Sequence, residues 1–188
     1  MKTLTDHLAT YAAYHRDRRN IVSHFIGIPM IVVAVAVLLS RPATELAGLP
    51  VSAATAITFA TLVFYFVLDL RFGLAMTAAL GLSLWAGAAL AAQSTAVWLS
   101  GGIGLFVVGW IIQFVGHYYE GRKPAFVDDV LGLLIGPLFV AAELAFLLGL
   151  RSGLQEEIEA RVGPTRVRDM KTQASCCLLY TSPSPRDS

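Results

Sequence analysis

Three of the four histidines in this 188-residue chain stand where polar sequence meets apolar sequence. His15 and His24 lie at the entrance to the first long apolar run, and His117 lies at the exit from the fourth. Imidazole is the commonest metal ligand in proteins. If every apolar run crosses a membrane, both histidine segments lie on the same side of it. We therefore predict that the three side chains converge on one metal ion.

The residues around His117 are spaced for a shared helix face. Gln113, His117 and Glu120 stand at positions i, i+4 and i+7, which lie on one side of an α-helix. An imidazole and a carboxylate three residues apart can both reach one ion. We predict that Glu120 is a metal ligand or a partner of one, and that Gln113 binds substrate.

The spacing between His15 and His24 would not place both side chains on the same face of a single helix. Nine residues on an uninterrupted helix turn the chain by about two and a half turns, so the two side chains would point in opposite directions. They converge only if the chain turns near residues 18–20. Asn20 is a residue type that caps helices, and we predict that a new helix begins there.

The donor types leave the metal and the chemistry open. Imidazole and carboxylate ligands with free positions suit non-haem iron(II), while zinc accepts a similar set. One alternative is a zinc-dependent lipid hydrolase in which Glu120 is the general base. Another is a lipid-binding or transport protein without chemistry, in which Glu143 lines a pathway. Arg122 and Lys123 set topology by default, and as site residues they would receive a substrate carboxylate.

The composition is that of a membrane protein. Hydrophobic residues make up 56% of the chain and charged residues 14%, whereas soluble domains have about 25% charged residues. A membrane crossing needs about 20 mostly apolar residues. We predict an all-α polytopic helical bundle of four to six spans within a single domain at 1–163, preceded by an interfacial helix. Its apolar runs are 21–39, 51–70, 72–92, 97–115 and 126–150.

Two segments of the sequence each have two possible positions. Residues 3–17 carry Leu4, Leu8, Tyr11 and His15 on one helical face, which would lie on the membrane surface or dock against the bundle. The fifth run contains Pro137 and would be either one broken span or a re-entrant pair. Loop 40–50 is expected to form a short turn.

The basic residues predict the orientation. If every run crosses, one side carries Lys2, Arg16, Arg18, Arg19, Arg71, Arg122 and Lys123, and the other carries Arg41, Arg151 and Arg161. The side richer in Lys and Arg faces the cytoplasm, so the site is expected there. An alanine- and glycine-rich chain favours a bacterial cytoplasmic membrane, and a eukaryotic member would lie in the endoplasmic reticulum. The net charge of +1 says nothing about nucleic acid, and since no basic stripe with interleaved aromatic residues is present, no nucleic-acid partner is expected.

The tail at 164–188 is set apart. Composition changes abruptly at 172–188, where 178–187 resembles a translated sequencing adapter, so we treat this part as non-native or disordered. Cys176 and Cys177, the two cysteines of the chain, are adjacent within it. They predict neither a disulfide framework nor a cysteine metal site.

Four segments together resemble the membrane family of 2-hydroxy fatty acid dioxygenases, whose fungal members act in phytosphingosine degradation. They are YHRDRRN at 14–20, HFIGIP at 24–29, WIIQFVGH at 110–117 and EGRKPA at 120–125, and the likeness extends over about residues 1–150. Gly136 and Pro137, followed by Glu143, also match.

The resemblance implies an enzyme of fatty acid α-oxidation. Such an enzyme uses Fe(2+) and dioxygen to cleave the C1–C2 bond of a long-chain 2-hydroxy fatty acid, leaving an acid one carbon shorter. The family's essential histidines carry over onto His15, His24 and His117. Glu120 is added to them for its helical spacing alone. The residues predicted to bind substrate are Arg122, Lys123, Asn20 and Gln113.

Overall fold

The computed structural model describes residues 2–46, 49–127 and 129–170. Within these ranges the fold is mostly helical, as predicted. The helices are α1 (Leu4–Ala12), α2 (Arg18–Leu39), α3 (Ala53–Leu68), α4 (Leu70–Ala91), α5 (Thr95–Glu120), α6 (Gly132–Leu147) and α7 (Ser152–Val162). A 3-10 turn, Ala125–Val127, precedes α6. Where a short turn was expected after α2, strands β1 (Ala43–Leu46) and β2 (Leu49–Ser52) form an antiparallel hairpin.

Helices α2, α4 and α5 are long and apolar enough to cross a membrane. Their ends distant from the histidines are tied together, because Trp98 Nε1 donates to the Val37 carbonyl at 2.7 Å and Arg41 Nε donates to the Ala91 carbonyl at 2.7 Å. Helix α3 has 16 residues, about 24 Å at 1.5 Å per residue. It returns the chain from the hairpin to the start of α4, although it is shorter than a typical hydrocarbon core.

The fifth apolar run is sharply bent, and side chains at and beyond the bend contact the histidine end of the bundle. Helices α6 and α7 are bent by 115° where they meet. Arg151, at that bend, pairs with Asp69 before α4 at 2.8 Å, and Arg161 in α7 pairs with Asp6 in α1 at 2.8 Å. Both aspartates lie at the end where α2 begins. This corrects the expectation that Arg151 and Arg161 face the opposite side, which assumed that every run crosses.

Helix α1 docks against the bundle through the face predicted from its spacing. Thr3 and Asp6 form a capping box at its start. Leu4, Leu8 and Tyr11 are buried in one core cluster with Phe139 of α6 and Ile158 of α7. Docking rather than lying on a membrane surface brings the end of α1 and the following loop over the start of α2.

The break between α1 and α2 falls earlier than predicted. Asp17, not Asn20, is the N-cap of α2, and its carboxylate accepts a hydrogen bond from Arg19 N at 2.8 Å. Aspartate and asparagine are comparable caps, so residue type alone did not distinguish the two positions. The turn lies at residues 13–17, and Asn20 is in the first turn of α2.

Helices α2 and α5 pack closely at the histidine end because small residues face each other there. A Cβ atom at Gly116 would overlap Ser23 Oγ, and one at Gly27 would lie 2.9 Å from the Gly109 carbonyl oxygen. The chain leaves α5 through Gly121, whose φ of 66° is left-handed and suits glycine. The close approach of α2 and α5 sets the distance between His24 and His117.

Candidate metal centre

His15, His24 and His117 meet in the interior, as predicted from the sequence. Their ring centroids are 4.4 Å apart for His15 and His24, 4.9 Å for His15 and His117, and 5.3 Å for His24 and His117. One ring nitrogen of each lies within 4.8 Å of the others. All three side chains are buried, with at most 6% of their surface exposed. Residues from a loop, α2 and α5 thus form one cluster.

His15 is held by the last turn of α1. Its Nδ1 donates to the Tyr11 carbonyl at 2.7 Å, and its ring stacks on the Tyr11 ring at 4.2 Å. Burial and the neighbouring His24 lower the pKa of His15 well below its ordinary value. The imidazole is therefore neutral, and its buried Nε2 has no hydrogen-bond partner within the described residues.

His24 is held by a backbone carbonyl in the same way as His15, whereas His117 differs. His24 Nδ1 donates to the Asn20 carbonyl at 2.9 Å, which leaves Nε2 as the acceptor. His117 Nδ1 is buried without a hydrogen-bond partner among the described residues. Backbone carbonyls commonly fix the tautomer of metal-binding histidines in this way. Three buried imidazoles with one nitrogen each so close together are a donor set that fits a divalent cation.

Glu120 contacts the loop that carries His15. Its Oε1 accepts from Arg16 N at 3.0 Å, and its Oε2 accepts from Asp17 N at 2.7 Å and Asn20 Nδ2 at 3.1 Å. The histidine group that could hold a metal does not include it. The structure thus brings Glu120 beside the cluster with both oxygens engaged by other groups.

A strap from beyond α7 closes over the same loop. Arg166 and residues 16–18 form a parallel β-bridge, with Arg166 N donating to the Arg16 carbonyl and Arg18 N to the Arg166 carbonyl, both at 2.9 Å. Arg168 N donates to Asp17 at 2.8 Å, and its guanidinium donates to the Glu120 carbonyl. Arg166 and Arg168 therefore contact the loop of the site, although from the sequence alone both were expected to belong to the tail. The segment 172–188 lies outside the described residues.

Asp17 is the anchor of this strap. Burial opposes its ionisation, but hydrogen bonds from Arg19 and from the backbone of Arg168 outweigh that effect and lower the pKa of Asp17 to about 2. No sequence pattern marks Asp17 or Arg168 as site residues. Their roles depend on a backbone bridge, which has no side-chain signature.

A cavity of about 70 Å³ opens beside the cluster, lined by His24, His117, Gln113 and Tyr11 among others. Gln113 is 4% exposed, and neither its amide oxygen nor its amide nitrogen has a hydrogen-bond partner within the described residues. The Tyr11 hydroxyl lies near Gly136, where a Cβ atom would be 3.1 Å from it. Two polar side chains thus line the space next to the imidazoles.

The other predicted substrate-binding residues lie elsewhere. Asn20 is fully buried and joins His24 to Glu120. Arg122 donates to the Ala13 carbonyl at 2.8 Å and lines a separate polar cavity with Arg16 and Arg168. Lys123 is exposed at the same end of the bundle.

Glu143, the ionisable group of the fifth run, lies 3.5 Å from Arg16 Nη2. This ion pair has 12% and 15% of its two side chains exposed. Arg16 also donates to the Gly163 carbonyl at 3.0 Å, so the pair links α6 and the end of α7 to the loop of His15. The Glu143 carboxylate therefore has a structural role in this ion pair.

Helices able to cross a membrane and a buried three-histidine cluster together define a membrane protein with a candidate metal site at one end of its bundle. The chain belongs to the family described as 2-hydroxy-palmitic acid dioxygenase Mpo1-like, which matches residues 1–148. It is 31% identical over 158 residues to 2-hydroxy-palmitic acid dioxygenase MPO1 of Saccharomyces cerevisiae, a match that covers 83% of this chain and 87% of the relative. No solved structure matches the chain. The family resemblance drawn from the sequence is confirmed.

Proposed function

We propose that this protein is an iron(II)-dependent dioxygenase that cleaves the C1–C2 bond of long-chain 2-hydroxy fatty acids. The observation that carries the proposal is the buried cluster of three histidines in a chain of a dioxygenase family, with His15 Nε2 and His117 Nδ1 lacking a hydrogen-bond partner within the described residues. One 2-hydroxy acid and one dioxygen would give the acid one carbon shorter, carbon dioxide and water.

His15, His24 and His117 would hold the metal, because each offers a nitrogen to the same small space. Bound iron(II) would supply the activation of dioxygen that the chain's own side chains lack. The hydrogen bonds from His15 to Tyr11 and from His24 to Asn20 orient the two rings before any ion binds.

Gln113 and Tyr11 would orient the polar head of the substrate. The Gln113 amide offers both a donor and an acceptor, which suits a carboxylate beside a hydroxyl. An amide left without partners in a buried site is costly, and a bound head group would satisfy it. Arg122 and Lys123 would attract the acid to the histidine end by their charge. We assign Asn20 and Glu120 to positioning the histidines.

We infer that the histidine end faces the cytoplasm. Within the described residues, Arg41 is the one Lys or Arg placed with the hairpin, while the others gather at the histidine end. This asymmetry is larger than the sequence analysis expected, because the re-entrant fifth run adds Arg151 and Arg161 to that end. The membrane is proposed to be a bacterial cytoplasmic membrane, from the composition alone.

Two observations speak against the alternatives. A zinc-dependent hydrolase would need Glu120 free as a general base, whereas its oxygens accept three hydrogen bonds from the loop and α2. A transport protein would use Glu143 in a pathway, whereas Glu143 is paired with Arg16. Three histidines are also a zinc ligand set, so the metal must be identified by experiment.

The test is oxygen uptake and product analysis with 2-hydroxy-palmitic acid. Protein purified without oxygen and loaded with iron(II) is expected to consume about one dioxygen per acid and to release the acid shortened by one carbon. Non-hydroxylated palmitic acid is the matched control substrate and is expected to remain unchanged. Turnover of a lipid ester at the same rate with and without oxygen would overturn the proposal in favour of a hydrolase.

A further inference from the structure

A second cavity adjoins the one at the histidines. It has a volume of about 390 Å³ and is enclosed by residues of α2, α3, α4, α5 and α6. Both cavities are lined by Ile31, Val32, Trp110, Leu133 and Pro137. Because these residues are walls of both spaces, the two cavities share a boundary, and His24 and His117 line the smaller cavity on its other side.

The second cavity extends lengthwise along the bundle. Ile31, Val35 and Leu39 line it at intervals of four residues, so one face of α2 forms a wall down to the end of that helix. The distance from Ile31 to Leu39 along α2 is about 12 Å at 1.5 Å per residue. Ala54, in the first turn of α3, is another wall residue at that end. The space therefore runs from the histidine end toward the hairpin.

The walls of this cavity are mostly apolar, with Thr58 and Thr61 among them, and two of their other polar groups are satisfied within the bundle. The Tyr65 hydroxyl donates to the Leu134 carbonyl at 2.6 Å, and Ser83 Oγ donates to the Ala79 carbonyl at 3.0 Å. The unpartnered amide of Gln113 lies at the opposite end, beside the imidazoles. Such a space fits a ligand with one polar end and a long apolar tail.

We propose that this cavity holds the acyl chain of the 2-hydroxy acid and that its far wall sets the preferred chain length. The inference rests on the proposed function, since the polar end of the ligand is placed at the histidine cluster. Each methylene that leaves water for an apolar site contributes about 0.8 kcal/mol, or about fourfold in affinity. A chain too long for the cavity loses that contribution for each excluded methylene.

Thr58 and Leu39 are suited to test the far wall. Thr58 lines the cavity one helical turn after Ala54, so Thr58→Trp would shorten the space, whereas Leu39→Ala would lengthen it. The neighbouring Phe59 is 72% exposed and is not among the cavity's lining residues. Phe59→Trp is therefore the matched control for a bulky indole on the same helix.

The experiment measures anaerobic binding of saturated 2-hydroxy acids of increasing length to the full-length protein, and then oxygen uptake with the same series. Thr58→Trp is expected to weaken binding of the longest acids by about tenfold or more, with the shortest acids unaffected. Leu39→Ala is expected to shift the optimum toward longer acids. Phe59→Trp is expected to keep the wild-type profile.

Binding and turnover distinguish failure of this inference from failure of the proposed function. Suppose that no acid supports oxygen uptake but the two cavity variants shift the binding profile in opposite directions. The acyl site is then supported and the dioxygenase proposal is overturned. If wild-type protein oxidises the acids but neither variant changes the chain-length profile, the acyl site is overturned. A bilayer phospholipid that co-purifies and is not displaced by any acid would overturn it as well.

Discussion

Glu120 Oε2 accepts a hydrogen bond of 2.7 Å from the backbone nitrogen of Asp17, 103 residues earlier in the chain. Its other oxygen accepts from Arg16 N at 3.0 Å. A carboxylate one turn beyond His117 thereby fixes the loop that carries His15. The geometry of the histidine cluster thus depends on this contact between Glu120 and the loop, which joins the two halves of the chain.

Glu120→Gln is expected to weaken metal binding about 10- to 100-fold, the effect typical of losing a group that orients a ligand. The substituted amide nitrogen is a donor and cannot accept the hydrogen bond that its carboxylate oxygen accepted. Metal titration under anaerobic conditions measures the change. Glu156, exposed on α7, gives the matched control, Glu156→Gln. If Glu120→Gln binds no metal even at saturating metal concentrations, Glu120 is itself a ligand.

Gln113→Leu is expected to leave metal content unchanged and to lower kcat/KM for the 2-hydroxy acid about tenfold or more. Leucine keeps much of the side-chain volume and removes both groups that would bind the polar head. Steady-state oxygen uptake and metal analysis on the same preparation separate the two effects. The exposed Gln93 provides the control Gln93→Leu. Full activity of Gln113→Leu would remove Gln113 from the substrate site.

Asp69→Asn is expected to lower the free energy of unfolding by about 1–2 kcal/mol at neutral pH. Burial opposes ionisation of Asp69, but hydrogen bonds from Arg151 and the start of α4 lower its pKa below the ordinary 3.8. The stabilisation is thus fully present above pH 3.8 and is lost as pH falls through the folded-state pKa. Asparagine can still cap α4, so the substitution removes mainly the charge.

Thermal unfolding in detergent at several pH values measures this effect. The difference between wild type and Asp69→Asn is expected to shrink as the pH is lowered below about 4. Glu45→Gln, at an exposed position in β1, is expected to unfold like wild type at every pH. A difference that grows at acidic pH would contradict the assigned ion pair.

If the fifth run is re-entrant, both of its ends lie on the same side of the membrane. Lys2→Cys and Glu156→Cys are expected to react with an impermeant maleimide from the same side, and Thr44→Cys from the other side. The background is the chain with Cys176 and Cys177 replaced by serine. Labelling in intact cells and in inverted vesicles measures the side. Reaction of position 156 together with position 44 would mean that the fifth run crosses.

The histidine cluster could be predicted because it depends on spacing and on counting apolar runs. His15, His24 and His117 stand at segment boundaries that an even number of intervening crossings brings to one side. The face shared by Gln113, His117 and Glu120 follows from helix periodicity, and all three are buried in α5. These features are local or topological, and the sequence encodes both.

Other features required the three-dimensional structure. Hydropathy measures the length of the fifth run but not its direction, so the return of Arg151 to Asp69 was not evident. Glu120 accepts from backbone nitrogens of a loop, and residue types do not specify that loop's conformation. Arg168 reaches Asp17 through its backbone, which any residue other than proline could do.

Metal content of single histidine variants tests the central claim most directly. His15→Ala, His24→Ala and His117→Ala, loaded anaerobically with iron(II), are each expected to lose bound iron and oxygen uptake together. His7→Ala changes the remaining histidine, which lies outside the cluster. This variant is expected to retain about one iron per chain and wild-type turnover. Wild-type iron content and activity in the three cluster variants would contradict the account.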